Sequence, residues 1–460
     1  MVNEQDSLTA RFARACAEFS YDRLPAVTRQ RSKLILLDTL GAMLSASRSS
    51  FHGTTTLASF VEQECADGPC RVVGTSLRTS PTNAALMNGY LGYALDVESH
   101  HGPAVAHAAA AVLPAVLAVG EQTSASGDQL LAALVLGIEV DCRMSLAIGP
   151  NDLYARGFHP TSVAGSFGAA AAAGHLLHLN STGVASAFGL AASQAGGLLA
   201  WADDHTEESR PFNPALAARN GVTASQLAKL GFGAPQAIFD ATSKYHVFRA
   251  WALDGHGQPE ALVQGFGDTF AIDELIIKRH ACCAFLHPGL DGLLSIMGDE
   301  GVTHQEIIGI TMRYPRSGAP IIDQNELRSH RAQYILPLAC VRGEVLFEDV
   351  IADRSSEPDV QRLSAVTTLI HDDELDRTYP EKYATIIEVA TRDGDVHRRR
   401  VEYALGSPQN PMSDADIIAK FQRLAGQRFS AERVAGVEQV VLNLDESGTV
   451  DDLMRAVTDD

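Results

Sequence analysis

Gly157-Phe158-His159-Pro160-Thr161 sets an imidazole directly before a run of small residues, Val163 to Gly174. Proline suits the first helical position, where its missing N–H costs nothing, and the unpaired amides of that turn attract an anion. An imidazole held there could meet a carboxylate and move a proton near neutral pH. The same glycine and alanine surface suits a tightly packed interior helix whose His159 is only a satisfied neighbour, and the segment by itself favours neither reading.

Three other constellations carry chemistry-bearing side chains. In Leu95 to His107, Asp96, Glu98, His100, His101 and His107 crowd a stretch where a helix ends, turns at Gly102-Pro103 and restarts. That density raises the question of a metal, but no HExxH or other one-face spacing is present, so no metal is expected. Hydrogen-bonding or acid–base roles fit Asp96 and His107 better, with His100 and His101 in a solvated loop. In Lys278 to His287, an apolar strand delivers Lys278 and the following helix carries His287. A cation and an imidazole at such a junction suit carboxylate binding and proton transfer, although a lysine at a strand end is commonly a plain surface charge. Cys282 and Cys283 lack a CxxC partner and read as small core residues. In Arg210 to Gly221, a guanidinium can grip a carboxylate through two parallel hydrogen bonds; Arg210 is expected to meet the anion and Arg219 to serve the structure.

Helices must position these groups. Apolar residues recur at helical spacing over Leu8–Phe19, Pro25–Ala46, Asn83–Asp96, Val105–Glu121, Asp128–Ile148, Pro160–Leu179, Thr182–Trp201 and Pro214–Leu230. Several are apolar on nearly all sides, as interior helices are. The texture changes near residue 265. Phe270–Lys278 and Glu306–Tyr314 read as strands, Thr385–Ala390 and Val396–Tyr403 as a hairpin about Asp393-Gly394, with helices over Cys282–Met297, Glu326–Val341 and Pro358–Ile370 between them. Ser413 caps a helix over Asp414–Leu424, and Ser430–Leu444 follows. The expected class is mainly α with α+β: a helical domain over 1–265, an α+β domain over 266–404, and a tail, 405–460, that packs back on the first. A cleft between the two is a preferred place for a small-molecule site.

Composition narrows the partners. The 460 residues carry a formal charge of −20, which disfavours nucleic acid and anionic membranes because both require a basic face. A local positive cluster can still hold a small anion, since charges beyond a Debye length of about 8 Å are screened. Ala108–Val119, the longest apolar stretch, is too short to span a bilayer. No basic cluster followed by an apolar run stands at Met1–Asp6, and the seven cysteines are an odd count without CxxC spacing. Reduced thiols and a cytoplasmic location are expected.

The order of the motifs resembles the MmgE/PrpD family: Leu37-Asp38-Thr39-Leu40-Gly41, Asn88-Gly89 to Asp96, His159-Pro160-Thr161-Ser162-Val163-Ala164-Gly165, Ala217-Ala218-Arg219-Asn220-Gly221, and Ala281-Cys282-Cys283 with His287. The match runs over essentially the whole chain. That family contains 2-methylcitrate dehydratases, cis-aconitate decarboxylases and iminodisuccinate epimerase. The resemblance implies a large helical domain, a smaller α+β lid, a homodimer, and neither metal nor organic cofactor. It places Asp96, His107, His159, Lys278 and His287 around the substrate of the decarboxylase branch, with Arg210 where that branch carries lysine and Val97 where a second acidic residue is usual. The function it implies is a lyase, dehydratase or decarboxylase, acting on a small di- or tricarboxylate by His/Lys acid–base chemistry. An epimerase with two facing bases is the alternative, and a polycarboxylate-binding protein without turnover is a third.

Overall fold

The computed structural model describes residues 7–48, 51–204 and 206–459. Met1–Asp6, where the absence of a leader was read, lies outside them. The molecule is mainly helical with a smaller α+β part, and its apolar side chains form two large cores. The main core runs from Leu8 to Ala281, then recruits Phe347 and residues 417–457. The second spans Cys282 to Val389.

Helix Pro160–Leu176 lies at the centre of the main core, packed by Ala108–Thr123, Gly127–Ile148, Ser181–Ala192 and Phe212–Lys229. Small residues allow this crowding. A methyl group on Gly168 would lie 2.6 Å from the Gly137 carbonyl oxygen and 2.8 Å from Asp141 Cβ, so the Gly127–Ile148 backbone approaches as only glycine permits. The helix starts follow local chemistry: Pro160 and Pro81 occupy first turns, and Ser80 accepts from Asn83 N. Ser413 and Asp416 cap each other reciprocally at the head of Asp414–Ala425, which packs on Ala26–Arg48. Among the described residues no helix is long and apolar enough to cross a membrane.

The second core forms around a four-stranded sheet in the order Thr367–Asp372, Ile307–Pro315, Thr385–Thr391, Val396–Val401. The first pair is parallel and the other two antiparallel. The hairpin turns at Asp393-Gly394, with Gly394 at φ +97°. Helix His287–Asp299 covers the last two strands.

Several expected elements differ. Phe270–Lys278 is not a strand: Ala271–Glu274 make one 3₁₀ turn and only Leu275–Ile276 pair, antiparallel to His100–His101. Asp273 and Glu274 break the apolar run, and Glu139 and Thr28 bind the turn through Ala271 N and Asp273. Pro358–Ile370 divides into a helix, Pro358–Ser364, and a strand, Thr367–Asp372, because its β-branched end finds a parallel partner. Cys282–Met297 starts its α-helix only at His287, Glu326–Val341 only at Ala332, and Thr182–Trp201 stops at Ala192. Helix His52–Glu64 had no counterpart in the sequence reading.

Candidate active site

Where the two cores meet, they enclose a small cavity with room for water-sized centres over about 80 Å³. Asp96, His100, His107, His159 and Trp201 line it from the main core, and Cys283, Phe285, Asn325 and His330 from the second unit. Wider hollows lie elsewhere, one around Tyr245 and Trp251, another around Ser7 and Asp240, but neither gathers several buried titratable groups. The enclosed cavity does, and perturbed titratable groups in a cleft mark a functional site.

His159 is the N-cap residue of the central helix and is 2% exposed; its main-chain N donates to Gly197 O. Two residues on, Thr161 Oγ1 accepts from His107 N at 3.0 Å, so one helix start places both imidazoles. Tyr93 is close to both, with ring centroids 4.7 Å from His107 and 6.2 Å from His159. Trp201 covers the other side of His159 at 5.3 Å.

Behind this wall is a buried ionic cluster. Lys278 Nζ donates to Asp96 Oδ1 at 2.5 Å, to Asp96 O at 2.9 Å and to Glu98 Oε1 at 3.2 Å. The same Glu98 oxygen lies 2.8 Å from His107 Nδ1. Arg210 stands 3.7 Å from Asp96 and 3.6 Å from Glu207, over the Tyr93 ring. Lys420 joins Asp38 to the Val97 carbonyl. The backbone here is strained: Asp96, Glu207 and the β-branched Val105 all have positive φ, at +56°, +64° and +48°. Such conformations cost on the order of 1–3 kcal/mol each and persist only where neighbours impose them.

These surroundings set the charges. Burial alone would raise Asp96, but Lys278 and Arg210 outweigh it and hold the carboxyl well below its usual range. Burial raises Glu98. Burial pushes His107, His159 and His100 well below the ordinary imidazole range, aided for His107 by Lys278 and for His159 by His107 and Arg210. His330 is held at about 4, again chiefly by burial. The cavity is thus walled by neutral imidazoles, with Asp96 Oδ2 lacking a hydrogen-bond partner.

Of the residues singled out from sequence, Asp96, His107 and His159 reach the wall. Lys278 and Arg210 are fully buried one layer back, each matched to carboxylates, and His287 faces His280 at 5.7 Å rather than the cavity. Arg219 bonds only weakly to Asn220, at 3.4 Å. His100 and His101, read as a solvated loop, are each 2% exposed because their short strand is paired with Leu275–Ile276. His100 Nε2 lies 3.1 Å from Tyr383 Oη, which gives its own proton to Gly102 O. The second carboxylate missed at Val97 is supplied by Glu98, which the bend at Asp96, with φ +56°, brings to the same Lys278 ammonium. Tyr93, Trp201, Glu207, Ser329 and His330 carried no spacing signal. Among the described residues no three His, Cys, Asp or Glu side chains are grouped to hold a metal ion.

Comparison with known proteins agrees in extent. Residues 10–255 match the MmgE/PrpD N-terminal domain and residues 280–446 the MmgE/PrpD C-terminal domain. The chain is 28% identical, over 99% of its length and 98% of the other, to a cis-aconitate decarboxylase-like protein of Aspergillus oryzae. It is 27% identical to a cis-aconitate decarboxylase of Aspergillus terreus, covering 98% and 96% of the two chains. To the human cis-aconitate decarboxylase it is 28% identical, over 96% and 92%.

Proposed function

Because the chain belongs to the MmgE/PrpD family, we propose that it is a lyase acting on a small di- or tricarboxylate, with decarboxylation of cis-aconitate as the leading reaction and dehydration of a citrate-like acid as the next. The observation that carries this reading is the convergence of His107 and His159 on one enclosed cavity, both rings close to Tyr93 and backed by buried cations.

The chemistry requires one proton to arrive as one carboxylate leaves. The bond to the departing carboxylate breaks, carbon dioxide is released, and the electron pair passes into the allylic skeleton beside a remaining carboxylate. A proton then goes to carbon. His107 and His159, both in the cavity wall, are the donors in this reading. Neutral by burial, they gain protons as the polyanion enters, because a nearby negative charge favours imidazolium. Glu98 favours a proton on His107 Nδ1, and Lys278 and Arg210 offset the charge that develops beyond Asp96. The α+β unit serves as a lid that keeps water from the carbanionic species.

Incubation with cis-aconitate, citrate, 2-methylcitrate and iminodisuccinate tests this reading. Carbon dioxide from cis-aconitate is the expected result, and alkene formation from citrate or methylcitrate would move the assignment to the dehydratase. Solvent-deuterium uptake with inversion would favour the epimerase, for which the same two imidazoles face one carbon. Binding without turnover would leave a polycarboxylate-binding protein.

A further inference from the structure

Three buried residues at the seam between the two units take no part in the reaction as written above: Glu207, Ser329 and His330. Glu207 belongs to the main-core loop ahead of Phe212–Lys229, is 1% exposed and carries a strained φ of +64°. Ser329 and His330 sit in the 3₁₀ turn Arg328–His330 of the second unit. Ser329 N donates to Glu207 Oε1 at 3.1 Å, and Ser329 Oγ lies 2.9 Å from both carboxylate oxygens. The same hydroxyl is 2.9 Å from His330 Nδ1.

Proton counting fixes the direction of this chain. A serine hydroxyl has one proton to give and two lone pairs to offer. Ser329 N and Oγ both donate to the Glu207 carboxyl, which burial raises and Arg210, 3.6 Å away, pulls the other way. The Ser329 proton is therefore taken by Glu207. Its lone pair then faces His330, so Nδ1 must carry the ring proton and Nε2 the lone pair. Other charges act on this ring: Asp96 and Glu98 favour its protonation and Arg210 and Lys278 oppose it, with the Trp201 ring centroid 5.7 Å from its own.

We propose that His330 is a third catalytic imidazole of this cavity, supplied by the second unit, and that Glu207 is its positioning residue, acting through the Ser329 hydroxyl. The proposal rests on the lyase reading above. It follows that the proton-transfer set is complete only when the two units are docked, since Glu207 and His330 come from opposite sides of the seam.

The test uses the full chain, labelled with ¹⁵N-histidine, in the wild type and in Ser329→Ala, Ser329→Thr and His330→Gln. Ring ¹⁵N shifts of the resting protein are expected to show His330 protonated at Nδ1, a signature lost in Ser329→Ala and restored in Ser329→Thr. With cis-aconitate, Ser329→Ala should lower kcat about 10–100-fold and move one limb of the pH–rate profile while KM stays within about twofold, as when an interaction made in the transition state is removed. Ser329→Thr should recover most of the rate. A wild-type ring protonated at Nε2, or a Ser329→Ala enzyme with unchanged kcat and pH profile, overturns the proposal. If Ser329→Ala does not fold, the wild-type signature and the rate of His330→Gln decide: a correct signature with a loss of about 10-fold or more supports it, and anything else overturns it. A wild type that turns over none of the four polycarboxylates overturns the lyase reading and the catalytic role with it, while the ring signature, read without substrate, still decides the relay.

Discussion

Lys278 spends all three of its ammonium protons inside the protein, on the Asp96 carboxylate, the Asp96 carbonyl and Glu98. Residue type had marked it and Arg210 as grips for an anion, and both lie one layer behind the wall. Asp96, His107 and His159, all singled out from sequence, do reach the wall, and His159 carries the clearest local signal, a His-Pro pair opening a helix of small residues. His159→Ala should fold and lose roughly 10²–10⁴-fold in turnover with cis-aconitate; near-normal turnover would remove it from the mechanism, and failure to fold would make it a packing residue. Arg210→Lys keeps the charge but removes the planar fork that faces both Asp96 and Glu207, so kcat/KM should fall by an equivalent of about 1–3 kcal/mol. Arg219→Lys should mainly lower the melting temperature. Kinetics on the two variants that came out the other way round would exchange these roles.

At the scale of elements, the helices were legible where caps and prolines marked their starts, as at Pro160 and Ser413, while the Ser80 cap, three residues ahead of the expected start at Asn83, was not read. The strands of the second unit were legible where β-branched residues ran together, as in Glu306–Tyr314 and in the hairpin around Asp393-Gly394. Thr367–Asp372 escaped because it owes its form to the distant Ile307–Pro315, and the strand expected over Phe270–Lys278 shrank to Leu275–Ile276 because only these meet a partner, His100–His101. That is also why His100 looked solvated: nothing near it in sequence announces the strand that buries it. The helix contacts make a sharper forecast. Gly168→Ala places a methyl within 2.6 Å of the Gly137 carbonyl oxygen, so the central helix must shift against Gly127–Ile148. A loss of about 1–3 kcal/mol is expected from denaturant melts, with activity falling further than stability explains, because the same helix places His159 and, through Thr161, His107. A variant as stable and active as the wild type would show that the helix start is not coupled to its packing.

The whole molecule buries a group of imidazoles in neutral form, which ties its stability to pH. A histidine held below its unfolded value stays neutral when folded, while the unfolded chain takes up the proton. Stability is therefore full above about pH 6.5 and is lost as pH falls toward the folded value. For His330 that window reaches down to about 4, a loss on the order of 3 kcal/mol from this ring alone. The wild-type melting temperature should fall more steeply across the window than that of His330→Gln; equal slopes would contradict the burial argument. One further feature concerns how the chain crosses between its cores. It leaves the main core after Ala281 and returns to it with Ile417, and the two crossings are tied together where Ile277 N donates to Gly406 O. Helices Asp414–Ala425, Ala431–Leu442 and Val450–Ala456 are thus part of the helical core, yet they leave the ribosome after the α+β unit. The α+β unit finishes emerging while the helical body still lacks these pieces, so it is expected to fold first although it is encoded ahead of them. A nascent chain stalled before residue 410 should resist protease over 282–389 and be cut throughout its helical part, and the active site, drawn from both, should be the last feature of the protein to exist.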